Sequence, residues 1–416
     1  MRLRLLRFLA VGLLLAGLHL PGCSGRPAGD GNAKPAAALP HPDILLGPYV
    51  TAVTDTSAKV LWVTGPGART TSIEVSQAGP PGGAARVKVD VNEGKLPDQP
   101  EVLHTATLTG LAPGAPCSYT VSDGRGAVKG SFQTAPAPGE ANAPFKFIVY
   151  GDSRTYSERH AAVAGAICKE LPFAFVIHTG DLVSNGFMWE QWEGEFFGPA
   201  GDMLRQAAIW PVRGNHEGDA ATYGDLFAPL PHRGLYYGFD WGGAHFAVLD
   251  SGGTWVNNDP NMMKWLDEDL SRSKAAWKFA VYHMPTIDTM NHGEGWGRED
   301  VWPILQKHGV DMVFCGHSHV YERFRPIGER GAKPIIEIVT GGGGAPTYET
   351  CSCPAVQTSY EGLHYCVVEL AGPTLRFAAK SPGGAVIDRF QVSKEGNAFD
   401  ANTMDRAIPT TEAWEN

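Results

Sequence analysis

From residue 144 onward one pattern recurs: a short, mostly apolar run, then at once a glycine or a polar side chain, then a longer stretch with helical spacing. The runs "FKFIVY", "FAFVIH", "AHFAVLD", "WKFAVY" and "DMVFC" are too short for helices and too apolar for surface loops, so they read as buried strands. Between them, residues 158–171 set Val163, Ile167 and Leu171 on one helical face, and further helices are predicted over 188–197, 261–271 and 299–308. Strands alternating with helices predict an α/β core whose ligands gather outside the strand ends.

At 416 residues the chain is too long for one small core, and the part before 144 is different in kind. Residues 44–136 hold β-rich runs, "SAKVLWVTG", "TSIEVSQ", "LHTATLTGL" and "SYTVSD", cut by glycine and proline turns, which predicts a small all-β sandwich. The stretch "LTGLAPGAPCSYTV", taken with Trp62, resembles a fibronectin type III domain. "APAPGEANAP" marks the boundary with a second domain expected over 144–393. Residues 24–43 are rich in Gly, Ala and Pro and read as a flexible tether, and residues 394–416 as a polar tail.

The chain begins with Arg2, Arg4 and Arg7 and an apolar run from Phe8 to Leu20, the charge and length of a secretory signal peptide over 1–23. Leu20-Pro21-Gly22-Cys23 resembles the lipobox of bacterial lipoproteins, with Pro21 in place of the usual small residue. That resemblance implies a lipidated Cys23 anchoring the protein to a membrane, and Ser24 after it implies the outer one. The expected location is outside the cytoplasm, as a lipoprotein facing the periplasm or the cell exterior, or else secreted. Disulfides are permitted there, so the cluster Cys351, Cys353 and Cys366 predicts a bridge to Cys366. Cys168, on a helix, and Cys315, on a strand, read as small buried hydrophobes.

The strand ends carry one kind of chemistry. In order they deliver Gly151-Asp152, Gly180-Asp181, Gly214-Asn215-His216-Glu217, His283, and Gly316-His317-Ser318-His319. A carboxylate such as Asp181 behind a buried strand is costly unless something neutralises it. These are N and O donors, suited to iron, zinc or manganese and unlike a thiolate structural site. Leaving His216 aside, two aspartates, an asparagine and three histidines exceed one tetrahedral ion; they suit two ions about 3.5–4 Å apart sharing a carboxylate. Any one element alone reads as a turn or a satisfied core histidine. Their joint occurrence behind successive apolar strands does not.

The order "GD…GD…GNHE…H…GHSHVYER" resembles the calcineurin-like metallophosphoesterase superfamily, and within it the purple acid phosphatase branch, over about residues 144–370. The resemblance implies a double-sheet sandwich flanked by helices, two metal ions (Fe, Zn or Mn) as cofactors, and hydrolysis of a small phosphorylated substrate in the manner of an acid phosphatase. It implies Asp152, Asp181 and His319 for the first ion, and Asp181, Asn215, His283 and His317 for the second. It also implies contact of His216 with the phosphoryl group, and His292 of "HMPTIDTMNH" near the leaving group as proton donor. Two departures stand out. Ser184 occupies the place of the branch's tyrosine, whose phenolate binds ferric iron and gives the colour, and Ser153-Arg154 replace the pattern after Asp152. Tyr156, four residues after Asp152, is a candidate substitute phenol, weighed against its reading as an ordinary loop tyrosine.

Other residues are weighed as support. His245 alternates with apolar neighbours and reads as core or as a support behind the ligands, and His178 reads as a partner of the ligands or as structural. Glu217, Tyr321 and Arg323 read as structural hydrogen-bonders, Trp189 and Trp192 as a helix face on the core. The run Gly341 to Gly344 lacks the Lys-Ser/Thr of a phosphate loop and reads as backbone passing close to the metals. Two other functions fit the same residues: a phosphodiesterase or nucleotide hydrolase, because loops set leaving-group access, and an extracellular binding module whose β-sandwich engages a protein partner beside a degenerate metal site. The net charge of −10 argues against a nucleic-acid groove.

Overall fold

The computed structural model describes residues 43–394, apart from 67, 69–70, 78–86, 97, 124–125, 253–258, 291–294, 329–332 and 351–352. The signal peptide, Cys23, the tether, His292, Cys351 and the tail beyond Lys394 lie outside the described residues. The described residues fall in one unit, 38–416.

Two sheets face each other through their apolar sides. In the first, β8 (Phe145–Tyr150), β9 (Phe175–His178) and β10 (Ala208–Pro211) run parallel. β18 (Tyr365–Ala371), β19 (Thr374–Lys380) and β20 (Val386–Ser393) extend it antiparallel beyond β8. In the second, β12 (Ala244–Val248), β13 (Trp277–Val281), β14 (Met312–Cys315) and β16 (Ile336–Thr340) run parallel. β11 (Tyr237–Trp241) closes one side, and β15 (Tyr321–Phe324) and β17 (Val356–Tyr360) the other.

The alternation along each strand decides what it touches. Trp277, Phe279 and Val281 of β13 face the first sheet, whereas Ala280 between them faces the helices outside. Across the gap, Phe147 of β8 meets Phe246, Phe279 and Phe314 edge-on, at centroid distances of 5.3, 5.8 and 6.3 Å. Such edge-to-face pairs suit aromatic quadrupoles and lock the two sheets in register. Helices α1 (Ser157–Ile167), α2 (Trp189–Gln191), α3 (Gly198–Leu204) and α4 (Ala221–Leu226) lie on the side of the first sheet, and α5 (Pro260–Arg272) and α6 (Val301–Lys307) pack on the second. On α5, Met262, Leu266 and Leu270 recur every four residues and are buried, and Asp259 caps the helix by accepting from Asn261 N at 2.9 Å.

Two expectations change here. The helix expected over 188–197 is α2 followed by a widened π-helical segment, 192–197, that leads into α3. Gly194 and Gly198 weaken α-helical register, and the wider turn brings Trp192, Phe196 and Phe197 all to the core. Cys366 forms no bridge: it is a buried free thiol whose Sγ donates to Thr340 Oγ1 at 3.4 Å, and Cys353 is free as well. Cys366 sits inside the first sheet, whereas Cys353 precedes the outermost strand of the second.

The N-terminal region is all β. One layer holds β1 (Ile44–Thr51), β2 (Ser57–Thr64), β4 (Lys88–Lys95) and β5 (Val102–Thr109), the other β3 (Ser72–Gln77), β6 (Pro116–Ser122) and β7 (Ala127–Gln133). Its larger layer does not end as a free sheet. β1 pairs in parallel with β10, so a single ten-stranded sheet runs through both regions. Thr51 Oγ1 donates to Ile209 O at 2.8 Å and Tyr49 OH to Leu226 O at 2.6 Å across this seam. Sequence composition does not reveal the seam because β1 and β10 lie far apart in the chain and each reads as an ordinary strand.

Candidate metal centre

The parallel strands of both sheets point their C-terminal ends to one place, so their following residues converge. β8 leads to Asp152, β9 to Asp181 and β10 to Asn215 and His216; from the other sheet β13 leads to His283 and β14 to His317 and His319. Asp152, Asp181 and His319, all buried, each offer one ligand atom within 4.8 Å of the others. Asn215 Oδ1 stands 3.0 Å from His283 Nε2 and 2.9 Å from His317 Nδ1, and His283 Nε2 is 3.3 Å from Asp181 Oδ1. Asp181 therefore touches both groups.

Close backbone approach makes this possible. A Cβ on Gly214 would lie 2.2 Å from Asp181 N, and one on Gly341 would lie 2.9 Å from Asp152 Oδ2, so each of these loops must pass without a side chain. Asp152, Asp181 and His317 take left-handed backbone angles, with φ of 57°, 57° and 66°. Non-glycine residues adopt that region at a cost and rarely without a surrounding structure that enforces it.

Backbone carbonyls set the histidine tautomers. His283 Nδ1 donates to Thr179 O at 2.9 Å and His319 Nδ1 to Pro346 O at 2.6 Å, which leaves each Nε2 facing a buried carboxylate. His216 follows the same rule: Nδ1 donates to Ser184 O at 2.7 Å, and Nε2 lies 3.9 Å from Asp181 Oδ2 on the open side, with 31% of its side chain exposed. Burial would push the Asp181 carboxyl up, but His283 and then His216 outweigh it and hold it far below the usual carboxylate range. Burial lowers His283, and Asp181 reverses this and raises it to about 9.

A supporting ring of groups holds the ligand loops. Glu217 is wholly buried and accepts from Leu182 N and Val183 N through Oε1, and from Asp181 N and Gly214 N through Oε2, at 2.7–3.2 Å. Burial and the Asp181 charge push its carboxyl up to about 7 against the pull of those donors. His178 Nδ1 accepts from Gly180 N, so its Nε2–H donates to Ser153 Oγ at 3.0 Å and joins the loops after β8 and β9. Burial keeps this imidazole neutral. Tyr321 and Arg323 stand away from the ligands, both bonded to Asp388 of β20. Trp192 is core, its indole N–H donating to Gly186 O, and Trp189 packs half-buried beside it. His245 lies on β12 between Asp240 and Asp269, remote from the ligands.

Three residues near the ligands carry more weight than sequence alone assigns them. Arg154 Nε is 3.2 Å from Asp181 Oδ2, and a terminal nitrogen is 3.3 Å from His319 Nε2. Glu195 Oε2 accepts from Thr155 N at 3.0 Å and Ser184 N at 2.7 Å, clamping the first two ligand loops together. Tyr348 stacks on His319 at a centroid distance of 4.4 Å. Burial raises its phenol above the usual value; Arg154 pulls it down, and Asp152 and Asp181 push it up. Arg154 is legible as a cation two positions after the first ligand. Glu195 and Tyr348 have no local signal, because their contacts are made only in three dimensions. Tyr156 turns outward, with the Arg159 guanidinium 4.3 Å from its ring centre.

The donor set fits a pair of metal ions. It is made of imidazole nitrogens with fixed tautomers and carboxylate or amide oxygens, without thiolates, and a shared carboxylate at its centre.

Comparison with known proteins agrees with this geometry. Residues 145–321 match the sequence model of the calcineurin-like phosphoesterases. Purple acid phosphatase 21 of Arabidopsis thaliana is 31% identical over 237 residues, 51% of this chain and 52% of that protein. A longer match, 26% identical over 381 residues, covers 76% of this chain and 61% of the Arabidopsis protein named "Probable inactive purple acid phosphatase 24". The chain spans about half the length of purple acid phosphatases 21, 23 and 18, which it matches. Among solved structures, purple acid phosphatase PPD1 of yellow lupin (Lupinus luteus) superposes with a TM-score of 0.70 at 18% identity, over 89% of this chain and 77% of that one. PhoD superposes with a TM-score of 0.65 at 15% identity, over 91% and 95%. These two likenesses concern the fold. Residues 145–321 of this chain are a calcineurin-like metallophosphoesterase domain, with purple acid phosphatases among the chain's homologues.

Proposed function

We propose that this protein is a dimetal phosphoesterase that hydrolyses small phosphomonoesters outside the cytoplasm. The observation that carries the reading is the tautomer control: His283 and His319 each spend Nδ1 on a backbone carbonyl and turn Nε2 toward a buried carboxylate. A histidine kept only for packing has no need of that. Asp152, Asp181 and His319 would hold one ion, and Asp181, Asn215, His283 and His317 the other. Bound there, the two ions supply a nucleophile at neutral pH and neutralise charge on phosphoryl oxygens.

This chain's residues do the rest. Asp181 sets the spacing of the centre, and Glu217 holds its backbone in place. His216, with Nδ1–H committed to Ser184 O, presents Nε2 to the open side where a phosphoryl oxygen would sit, and only as the imidazolium would it donate there. His292 is assigned the proton given to the leaving alkoxide, on the family resemblance.

Arg154 favours a second reading, a binding module with a metal-poor site, because its guanidinium already stands among the atoms assigned to the first ion. Metal analysis and a panel of mono- and diesters on the purified protein separate the two. The proposal expects two ions per chain, hydrolysis of monoesters, and loss of both activity and one ion in Asn215→Ala and His317→Ala. Near wild-type turnover in either variant removes the ligand assignment.

A further inference from the structure

We propose that Arg154 is a phosphoryl-oxygen ligand of this centre, which rests on the reading above that the site receives phosphate esters. Its guanidinium lies 3.2 Å from Asp181 Oδ2 and 3.3 Å from His319 Nε2, among groups that would ligate the first ion. A guanidinium is permanently charged, carries only donors and has no lone pair for a metal. It is therefore not a replacement ligand.

Charge decides what it does instead. Two divalent cations outweigh the carboxylates Asp152 and Asp181, so the loaded centre is net positive and repels Arg154. With Asp181 serving as a metal ligand, the arginine would need another anion. A phosphoryl group brings oxygens spaced to match the planar fork, the geometry arginine recognises in two-point fashion.

Position agrees. The Arg154 side chain keeps 15% exposure against 1% for Asp181, so it lies on the solvent side, where substrate must arrive. His216 Nε2 approaches the same Asp181 Oδ2, at 3.9 Å, so Arg154 and His216 flank one opening. The backbone cannot carry the arginine away. Tyr156 N donates to Arg154 O at 3.0 Å, Thr155 N donates to Glu195, and Thr155 Oγ1 and Ser184 Oγ are 3.0 Å apart. Only the side chain is free to turn from carboxylate to phosphate.

The test compares zinc-loaded wild type, Arg154→Met and Arg154→Lys by calorimetric titration with inorganic phosphate, with zinc content measured in parallel. Equal zinc content is expected in all three. Phosphate affinity should fall about tenfold or more in Arg154→Met, the loss of a charge-assisted pair. Arg154→Lys should fall between, since it keeps the charge and loses the fork, and it carries the test should the methionine variant not fold. Unchanged phosphate affinity overturns the proposal. So does loss of zinc in Arg154→Met, which would make the arginine a support for Asp181. Wild type that binds phosphate but hydrolyses no ester would defeat the enzymatic reading and leave this one standing; hydrolysis with unaltered phosphate binding in Arg154→Met would do the reverse.

Discussion

His245 offers the cleanest measurable consequence of this fold, because it titrates far from the candidate metal centre. Its Nδ1 is 2.7 Å from Asp240 Oδ1 and its Nε2 is 2.8 Å from Asp269 Oδ2. Both ring nitrogens must donate, which only the imidazolium can do. Burial lowers the ring's pKa, and the two aspartates outweigh burial and raise it to about 9. Against an ordinary value of 6.5, at ~1.4 kcal/mol per pH unit, this linkage is worth about 3 kcal/mol at most. Asp240 is 76% exposed and screened by solvent, so about 2 kcal/mol is expected. The sign follows from the raised value: the stabilisation is complete below about pH 6.5 and is lost as pH rises through about 9. Urea unfolding of wild type and His245→Gln between pH 6 and 9.5 measures it. Wild type should be the more stable at pH 6, and the gap should close by pH 9.5, while proton NMR of the ring follows the same midpoint. A gap independent of pH would refute the charged pairing and leave His245 as a packing residue.

His292→Ala should slow esters with poor leaving groups far more than nitrophenyl esters, because only the former need the proton; equal slowing of both removes the role. The iron-loaded protein should lack an intense visible band, since Ser184 stands three residues after Asp181, Tyr156 turns to Arg159, and burial keeps the Tyr348 phenol protonated. A strong band that disappears in Tyr348→Phe would identify Tyr348 as a phenolate ligand and defeat that expectation. Cys23→Ala should move the protein from the membrane fraction to the soluble one, as lipidation at Cys23 requires; unchanged membrane association would point to an uncleaved anchor.

Much of the centre is legible in the chain because parallel strands deliver their next residues to a common edge. Asp152, Asp181, Asn215, His283, His317 and His319 each follow an apolar run, and reading those runs as strands is enough to group them. The failures share a cause. The predicted bridge to Cys366 assumed that nearness in sequence means nearness in space, but Cys366 lies within one sheet and Cys353 at the edge of the other. The helix over 188–197 has a correct apolar content and a wrong period, since a π-helical turn places Phe196 and Phe197 together in a way that helical spacing does not anticipate.

What the sequence by itself determined is the α/β class and which polar residues end the strands, because both follow from short-range patterns: short apolar runs, and the residues that end them. Tertiary structure alone decided how those residues are used. Tautomers are set by Thr179 O and Pro346 O, which lie 104 and 27 residues from the histidines they orient. Glu195 reaches back 40 residues to the first ligand loop, and Arg154 crosses 165 to His319. The seam between β1 and β10, which continues one sheet through both regions, joins residues 158 apart at Thr51 and Ile209. A hydrogen bond depends on distance and angle in space, and contacts at such separations exist only once the two sheets have closed on each other.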